Sequence, residues 1–181
     1  MRAALLPIAL LAAAATSCAA QEVNVRVERN GETVVVDVDA QMPGTLRETW
    51  AVFTDYENMA SFITNLTASR IVARKEHSLE VMQAGSTKVG FMTFGFQAVR
   101  TVDLLPMHEI RSSLVSGDFK AYASTTSLST AGSGTRVRHH GEYVPKSWLP
   151  ALVGPAVIER ETKKQYQEFA AEIERRNALR R

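Results

Sequence analysis

The chain has 181 residues, of which 45% are hydrophobic and 22% charged, and its 21 basic and 19 acidic side chains give a formal charge of +2. This balance is typical of one globular domain and argues against a disordered chain. No cluster of Lys and Arg dominates the sequence, which argues against a nucleic-acid binder. A single cysteine excludes an intramolecular disulfide.

The first twenty residues are predicted to be a secretory signal peptide. Arg2 precedes an apolar run over 3–15 that is too short to span a bilayer as a helix, and small residues follow this run. Cleavage after Ala20, or one residue earlier, leaves a mature chain that begins near Gln21 and lacks cysteine. We therefore expect a periplasmic or secreted protein with a single domain over 21–181.

Cys18 supports an alternative, in which the chain is a membrane-anchored lipoprotein. The segment Ala-Thr-Ser-Cys at 15–18 resembles the bacterial lipobox, although Ala15 stands where Leu is usual. A buried N-terminal helix is a further interpretation, but the segment has no polar face. Both forms of processing place the mature chain outside the cytoplasm.

The mature chain is predicted to begin with a β-hairpin, which two short helices follow. Apolar residues alternate over 23–40, and Asn30-Gly31 lies in the middle, where both residues tolerate the positive φ of a tight turn. Thr45–Glu48 has the pattern of a capping box, which predicts the start of the first helix. We expect the second helix over 55–62.

A run of strands is predicted over 68–144, where apolar residues recur mostly at every second position. Two short strands are expected around a turn near 76–78, and one long strand from about Lys88 to Leu105. Turns are expected at Gly117-Asp118 and over 131–134, where glycine and small polar residues cluster.

A long C-terminal helix is predicted after Pro145 and Pro150, apolar nearly all round over 149–158 and amphipathic beyond. Pro155 either kinks this helix or marks its true start. The order of elements predicts an α+β fold. We expect a curved antiparallel sheet of about seven strands that wraps around the long helix, with a cavity between them.

Four segments resemble motifs of a known family. They are Trp50–Asn58 (W-x-v-l-t-D-Y-e), Ile110–Lys120 (I…G-D-F), Gly134–Val137 (G-T-x-l) and Pro145–Pro150 (P-x-x-W-L-P). On these motifs the chain resembles, over about 39–175, the polyketide cyclase/dehydrase family of the START-like (helix-grip, SRPBCC) superfamily, and it is similar to coenzyme Q-binding START-domain proteins. The resemblance implies a helix-grip fold with a hydrophobic ligand cavity, but it does not imply catalysis.

Two positions depart from the pattern of this family. The strand after the G-D-F segment carries Ala-Ser-Thr-Thr over 123–126 where many relatives have a tryptophan, and His139 stands where they often have a tyrosine. A specific ligand therefore does not carry over from the relatives.

Candidate ligand-binding residues are those that strand alternation or the family resemblance places at the cavity. They are Met92, Phe94, Phe96, Arg100, Ser112, Leu114, Tyr122, Thr126, His139, Tyr143, Trp148 and Val153. For the apolar members the alternative is plain core packing, which does not exclude a place in the cavity wall.

Arg100 and His139 each leave two interpretations open. Arg100 falls by alternation on the cavity face, where its charge would need a partner such as a ligand carboxylate. Alternatively, a β-bulge turns it outward. His139 is either a polar contact or general base in the cavity, or a hydrogen-bonded core histidine.

The sequence contains no motif for a metal, nucleotide or other cofactor, and adjacent His139 and His140 point to opposite faces of a strand. We therefore expect no metal and no cofactor. The predicted function is non-catalytic binding of a lipid, quinone or polyketide-like molecule, with no nucleic-acid partner and no transmembrane segment in the mature chain. The alternative is a polyketide cyclase or dehydratase that uses His139 as its acid or base.

Overall fold

The computed structural model describes residues 22–76, 78–146 and 154–180. In this part of the chain the strands are β1 (Val23–Asn30), β2 (Thr33–Met42), β3 (Leu66–Arg74), β4 (Ser78–Val89), β5 (Met92–Leu105), β6 (Glu109–Gly117), β7 (Phe119–Ala131) and β8 (Gly134–Pro145). The helices are α1 (Leu46–Phe53), a single 3-10 turn (Met59–Ser61) and α2 (Pro155–Ala178). The predicted signal peptide lies outside the described residues.

The eight strands form one curved antiparallel sheet in the order β1-β2-β8-β7-β6-β5-β4-β3. Every neighbouring pair in the chain is a hairpin except β2 and β3, which lie at different places in the sheet and are joined through α1. The helix α2 packs against β1, β2 and α1. The C-terminal helix thus packs on the edge of the sheet formed by β1 and β2, in the helix-grip arrangement that the sequence predicts.

Local sequence signals determine the start of this architecture. Gly31 has a φ of +63° in the turn between β1 and β2, where its lack of a Cβ removes the steric penalty. The Thr45 amide donates to Glu48 Oε2 at 2.8 Å, and the Glu48 amide donates to Thr45 Oγ1 at 3.4 Å, so that the predicted capping box starts α1.

The core joins the buried face of β2 to an aromatic cluster under α2. Alternate residues of β2, from Val34 to Met42, are buried, and the rings of Phe53 and Phe169 stack with centroids 4.3 Å apart. Complete burial of an aliphatic or aromatic side chain stabilises a fold by about 1.5–3 kcal/mol. Ile173, with no exposed surface, extends the contact along α2.

Polar contacts also fix the position of α2. Arg176 pairs with Asp55 at 2.7 Å and with Glu172 at 2.7 Å, and Glu168 accepts hydrogen bonds from the amide and hydroxyl of Thr64. These contacts tie the second half of the helix to the connection between α1 and β3. Among the described residues, no helix is long and apolar enough to cross a membrane.

The structure corrects three details of the predicted elements. The expected strand from Lys88 to Leu105 begins instead at Met92, as β5, because Gly90 at φ +61° turns the chain and Phe91 is fully exposed at the tip. Lys88 belongs to the end of β4, which extends the second of the two short strands expected around 76–78. The sheet has eight strands, against the seven or so expected. The second short helix is only the 3-10 turn. Pro155 occupies the first turn of α2 and starts the described helix.

Candidate functional site

A cavity lies between the sheet and α2, and it has two adjoining chambers. The first has a volume of about 240 Å³ and is named here the histidine chamber; its polar wall consists of Ser112, Ser124, Thr126 and His139. The second has a volume of about 320 Å³ and is named the phenylalanine chamber; its apolar wall consists of Leu66, Phe94, Phe96, Ala98, Phe119 and Val157. The site therefore combines a hydroxyl-rich end with an apolar end.

Residues from the sheet and from α2 line both chambers and mark their junction. They are Gln83, Arg100, Tyr122, Tyr143, Ile158, Thr162 and Gln165. A molecule that occupies either chamber therefore lies next to the same polar groups.

Arg100 points into the cavity from β5. Phe94, Phe96 and Ala98 line the cavity from the same strand at alternate positions, so the regular alternation of β5 continues through Arg100. A register shift does occur beside it, but the extra residue belongs to β6, because Arg100 pairs with Leu114 while Val99 pairs with Ser116. The alternative in which a β-bulge turns Arg100 outward is therefore wrong.

Two neutral side chains accept hydrogen bonds from the guanidinium of Arg100. One nitrogen donates to Tyr122 Oη at 3.0 Å, and the other donates to Gln83 Oε1. The charge also lies 5.2 Å from the centroid of the Tyr122 ring, within the range of a cation–π contact. No carboxylate among the described residues forms an ion pair with Arg100.

The two acceptors are themselves held in place. The buried Gln83 donates its amide to Ser69 Oγ at 3.1 Å, which leaves its carbonyl oxygen for Arg100. The hydroxyls of Tyr122 and Ser124 are 3.2 Å apart, and because Tyr122 accepts from Arg100, its own proton is free for Ser124. The network orients the guanidinium within the cavity.

His139 faces the histidine chamber from β8, whereas His140 points to the opposite side of the sheet and pairs with Asp37. The Nδ1 atom of His139 lies 2.8 Å from Thr126 Oγ1. Burial, and to a lesser extent the charge of Arg100, lower the pKa of His139 to about 4. The imidazole is therefore neutral at pH 7.

Gly141 provides the space that the ring of His139 occupies. A Cβ atom at position 141 would lie 2.8 Å from His139 Nε2, closer than real Cβ contacts. Gly141 was not among the site residues predicted from the sequence.

Two buried tyrosines, Tyr56 and Tyr166, and the partly buried Tyr143 remain protonated at physiological pH. Burial raises the pKa of Tyr56 to about 12, and it raises the pKa values of Tyr143 and Tyr166 further. Their hydroxyls are thus neutral hydrogen-bonding groups. Because His139 is neutral, Arg100 is the one cationic group in the described lining of the histidine chamber at pH 7. This described lining contains no Asp or Glu.

Eight of the residues predicted from the sequence line this cavity. They are Phe94, Phe96, Arg100, Ser112, Tyr122, Thr126, His139 and Tyr143. Met92, at the start of β5 beside the exposed turn, and Leu114, at the bulge of β6, line neither chamber. Trp148 and Val153 lie outside the described residues. Ligand binding by the eight lining residues stays a prediction.

The helical wall of the cavity was missed by the sequence prediction. It consists of Phe53, Met59, Thr162, Gln165 and Tyr166, together with Tyr56 from the connection between α1 and the 3-10 turn. A signal was present, because Ile158, Thr162, Phe169 and Ile173 recur at helical spacing, but that stripe was read only as the apolar face of the helix. In the described parts of the chain, no group of three or more His, Cys, Asp or Glu is placed to hold a metal ion.

The sequence matches a family model described as polyketide cyclase / dehydrase and lipid transport, over residues 42–170. The chain belongs to this family. No curated protein matches the sequence of this chain. Solved structures of START-type proteins show the same fold, in agreement with the resemblance carried by the four sequence motifs.

Three of these structures align with this polyketide cyclase/dehydrase family member over nearly their full length. A STAR-related lipid transfer protein from Xanthomonas axonopodis has 8% identity and a TM-score of 0.65, with 83% of this chain and 98% of that chain covered. The Zhui aromatase/cyclase from Streptomyces sp. R1128 has 13% identity and a TM-score of 0.63, with 80% and 95% covered. A START superfamily protein from Mycobacterium smegmatis has 13% identity and a TM-score of 0.61, with 78% and 97% covered. At such identities the likeness shows the fold alone.

Proposed function

We propose that this family member is an exported, non-catalytic protein that binds a hydrophobic small molecule of the lipid, quinone or polyketide-like class. The observation that carries the proposal is the two-chamber cavity, in which phenylalanine side chains form one wall and hydroxyls and Arg100 form the other. Removal of ligand surface from water supplies up to about 25 cal/mol per Å² of apolar area. The polar groups at the junction fix the orientation of the ligand.

The comparisons support the class of ligand. The family description includes lipid transport, and the similar Xanthomonas protein is named as a lipid transfer protein. The similar Streptomyces protein is named as an aromatase/cyclase. Molecules of both kinds are largely apolar and carry oxygen-containing groups, which is the combination that the two chambers offer.

Native mass spectrometry of protein isolated gently from its own cells tests the proposal. We expect a one-to-one complex with an apolar molecule that organic solvent extracts. Ala98 is buried, and its Cβ faces the phenylalanine chamber, so that Ala98→Phe reduces the volume of this chamber and abolishes the complex. The matched control is Gln97→Phe, one residue away on the exposed face of β5. An empty wild-type protein, or equal occupancy in Ala98→Phe, would contradict the proposal.

Export is tested by the N-terminus of the mature protein. The signal peptide pattern predicts a chain that begins at or next to Gln21 and is found outside the cytoplasm. A lipidated N-terminus at Cys18 would favour the lipoprotein alternative. Full-length protein in the cytosol would contradict export, and it would favour a cytoplasmic START-like protein instead.

One observation favours the cyclase or dehydratase alternative. The imidazole of His139 lies in the cavity and is neutral at pH 7, so it is able to accept a proton from a bound substrate. Turnover of a poly-β-ketone thioester that is lost in His139→Gln, with an unchanged thermal midpoint, would support this alternative. Binding without turnover in the wild type would leave the non-catalytic function as the better account.

A further inference from the structure

Arg100 is a cation at the junction of the chambers whose described partners are all neutral. Its two hydrogen bonds there go to the hydroxyl of Tyr122 and the amide oxygen of Gln83. A guanidinium carries five N–H donors, and it stays charged under all conditions in which proteins fold. Because a partly desolvated charge is costly without an opposite charge, this position favours an anionic partner from outside the chain.

The groups around Arg100 are arranged to keep it in the cavity. Gln83 is fixed by its hydrogen bond to Ser69, and the Tyr122 hydroxyl is linked to Ser124. A guanidinium fork that is oriented in advance loses little conformational freedom when it binds a planar carboxylate through two parallel hydrogen bonds. The described lining of the two chambers contains one carboxylate, Glu161 in the phenylalanine chamber, and this carboxylate pairs with Arg160 instead of Arg100.

The size and composition of the cavity restrict the rest of the ligand. Volumes of about 240 and 320 Å³ are at the small end of ligand pockets, which favours one apolar chain over a two-chain lipid. Phe94, Phe96 and Phe119 line the larger chamber, and Arg100 lies where it adjoins the smaller one. An apolar chain in that chamber places its end group next to the guanidinium.

We propose that the cavity is specific for single-chain amphiphiles that end in a carboxylate, with the carboxylate on Arg100 and the chain in the phenylalanine chamber. This inference rests on the proposed binding function and adds the chemical class of the ligand. Tyr122 and Gln83 act as positioning residues, because they hold the guanidinium.

Calorimetric titration with dodecanoate and dodecanol at pH 7 tests the inference, since these two molecules share the chain and differ in the charge of the head group. We expect the wild-type protein to bind dodecanoate roughly ten- to a hundredfold more tightly than dodecanol, the range for hydrogen bonds to a charged group. In Arg100→Gln the ratio of the two affinities falls close to one. Arg100→Lys keeps the charge without the fork and retains part of the preference. The control Arg138→Gln, at an exposed arginine of β8, leaves the ratio unchanged.

The outcomes separate this inference from the proposed function. Binding of dodecanol without any preference for dodecanoate would overturn the carboxylate specificity and leave the hydrophobic cavity intact. A preference that persists in Arg100→Gln would also overturn it. If the wild type binds neither molecule, the proposed function fails for simple amphiphiles, and the inference fails with it. Urea unfolding of each variant shows whether the fold is retained.

Discussion

His139 provides a quantitative test of the environment inside the cavity. Its ordinary pKa is 6.5 and its pKa in the folded chain is about 4, chiefly because burial disfavours the charged imidazolium. Between these values the unfolded chain binds a proton that the folded chain does not. The contribution of His139 to stability is therefore complete above pH 6.5 and is lost as the pH falls toward 4.

The size of the effect follows from the gap between the two pKa values. A gap of about 2.5 pKa units corresponds to about 3 kcal/mol at 1.36 kcal/mol per unit. This is a large part of the 5–15 kcal/mol of a typical domain. Several carboxylates titrate in the same range, so the effect of His139 must be measured as a difference between the wild type and a variant without the imidazole.

Urea unfolding of the wild type and of His139→Gln from pH 7 to pH 4 isolates the contribution. Gln is neutral throughout, and it can maintain a hydrogen bond with Thr126. We expect the wild type to lose about 3 kcal/mol more than the variant over this range. The exposed His140 supplies an opposite control, since Asp37 raises its pKa and its contribution is lost as the pH rises. A difference between wild type and His139→Gln that does not change with pH would refute the placement of His139 in a desolvated cavity.

Two further predictions concern the space around His139 and the attachment of α2. Gly141→Ala should displace the ring of His139, because the new Cβ would lie only 2.8 Å from His139 Nε2. An NMR titration should then show the pKa of His139 moved toward 6.5. The control Gly95→Ala, whose new Cβ would lie 3.8 Å from its nearest neighbour, Gly85 O, should leave the pKa of His139 unchanged. An unchanged His139 pKa in Gly141→Ala would contradict the packing. Arg176→Met should lower the free energy of unfolding by about 2 kcal/mol, because Asp55 loses its arginine and the buried Glu172 keeps only Arg175 as a partner. Arg160→Met, at an exposed ion pair, should change it by less than about 1 kcal/mol, and equal losses would contradict the role of Arg176 in holding α2.

Signals that lie close together in the sequence predicted the fold well. The hairpin at Asn30-Gly31 and the capping box at Thr45–Glu48 depend on residues within one turn of each other, and both are present. The turn at Gly90 was missed because the alternation of apolar residues that starts at Met92 was extended back to Lys88. A single glycine decides between the two arrangements only through its φ, which the sequence does not display.

The candidate site could be predicted only as far as strand alternation reaches. Alternation placed Phe94, Phe96 and Arg100 on the cavity face, and the chain places them there. The sequence could not show which strand of the β5–β6 pair holds the bulge, so Arg100 remained undecided. The partners Gln83 and Tyr122 come from β4 and β7, and their approach to Arg100 depends on the register of the whole sheet.

The helical wall was beyond the sequence prediction for a related reason. Periodicity shows which side of α2 is apolar, but it does not show where the helix crosses the sheet. That position depends on long-range contacts such as those of Arg176 with Asp55 and of Glu168 with Thr64. The contributions of Thr162 and Gln165 to the cavity follow from it.

The most direct measurement of the central claim is calorimetric titration of dodecanol into the wild type, Ala98→Phe and Gln97→Phe at several temperatures. If the cavity between sheet and α2 binds an apolar molecule, the wild type and Gln97→Phe bind one dodecanol per chain with a negative heat-capacity change, which marks the burial of apolar surface. Ala98→Phe, with the phenylalanine chamber filled, then shows no saturable binding. Saturable binding of equal strength in all three proteins, or in none of them, would contradict the account.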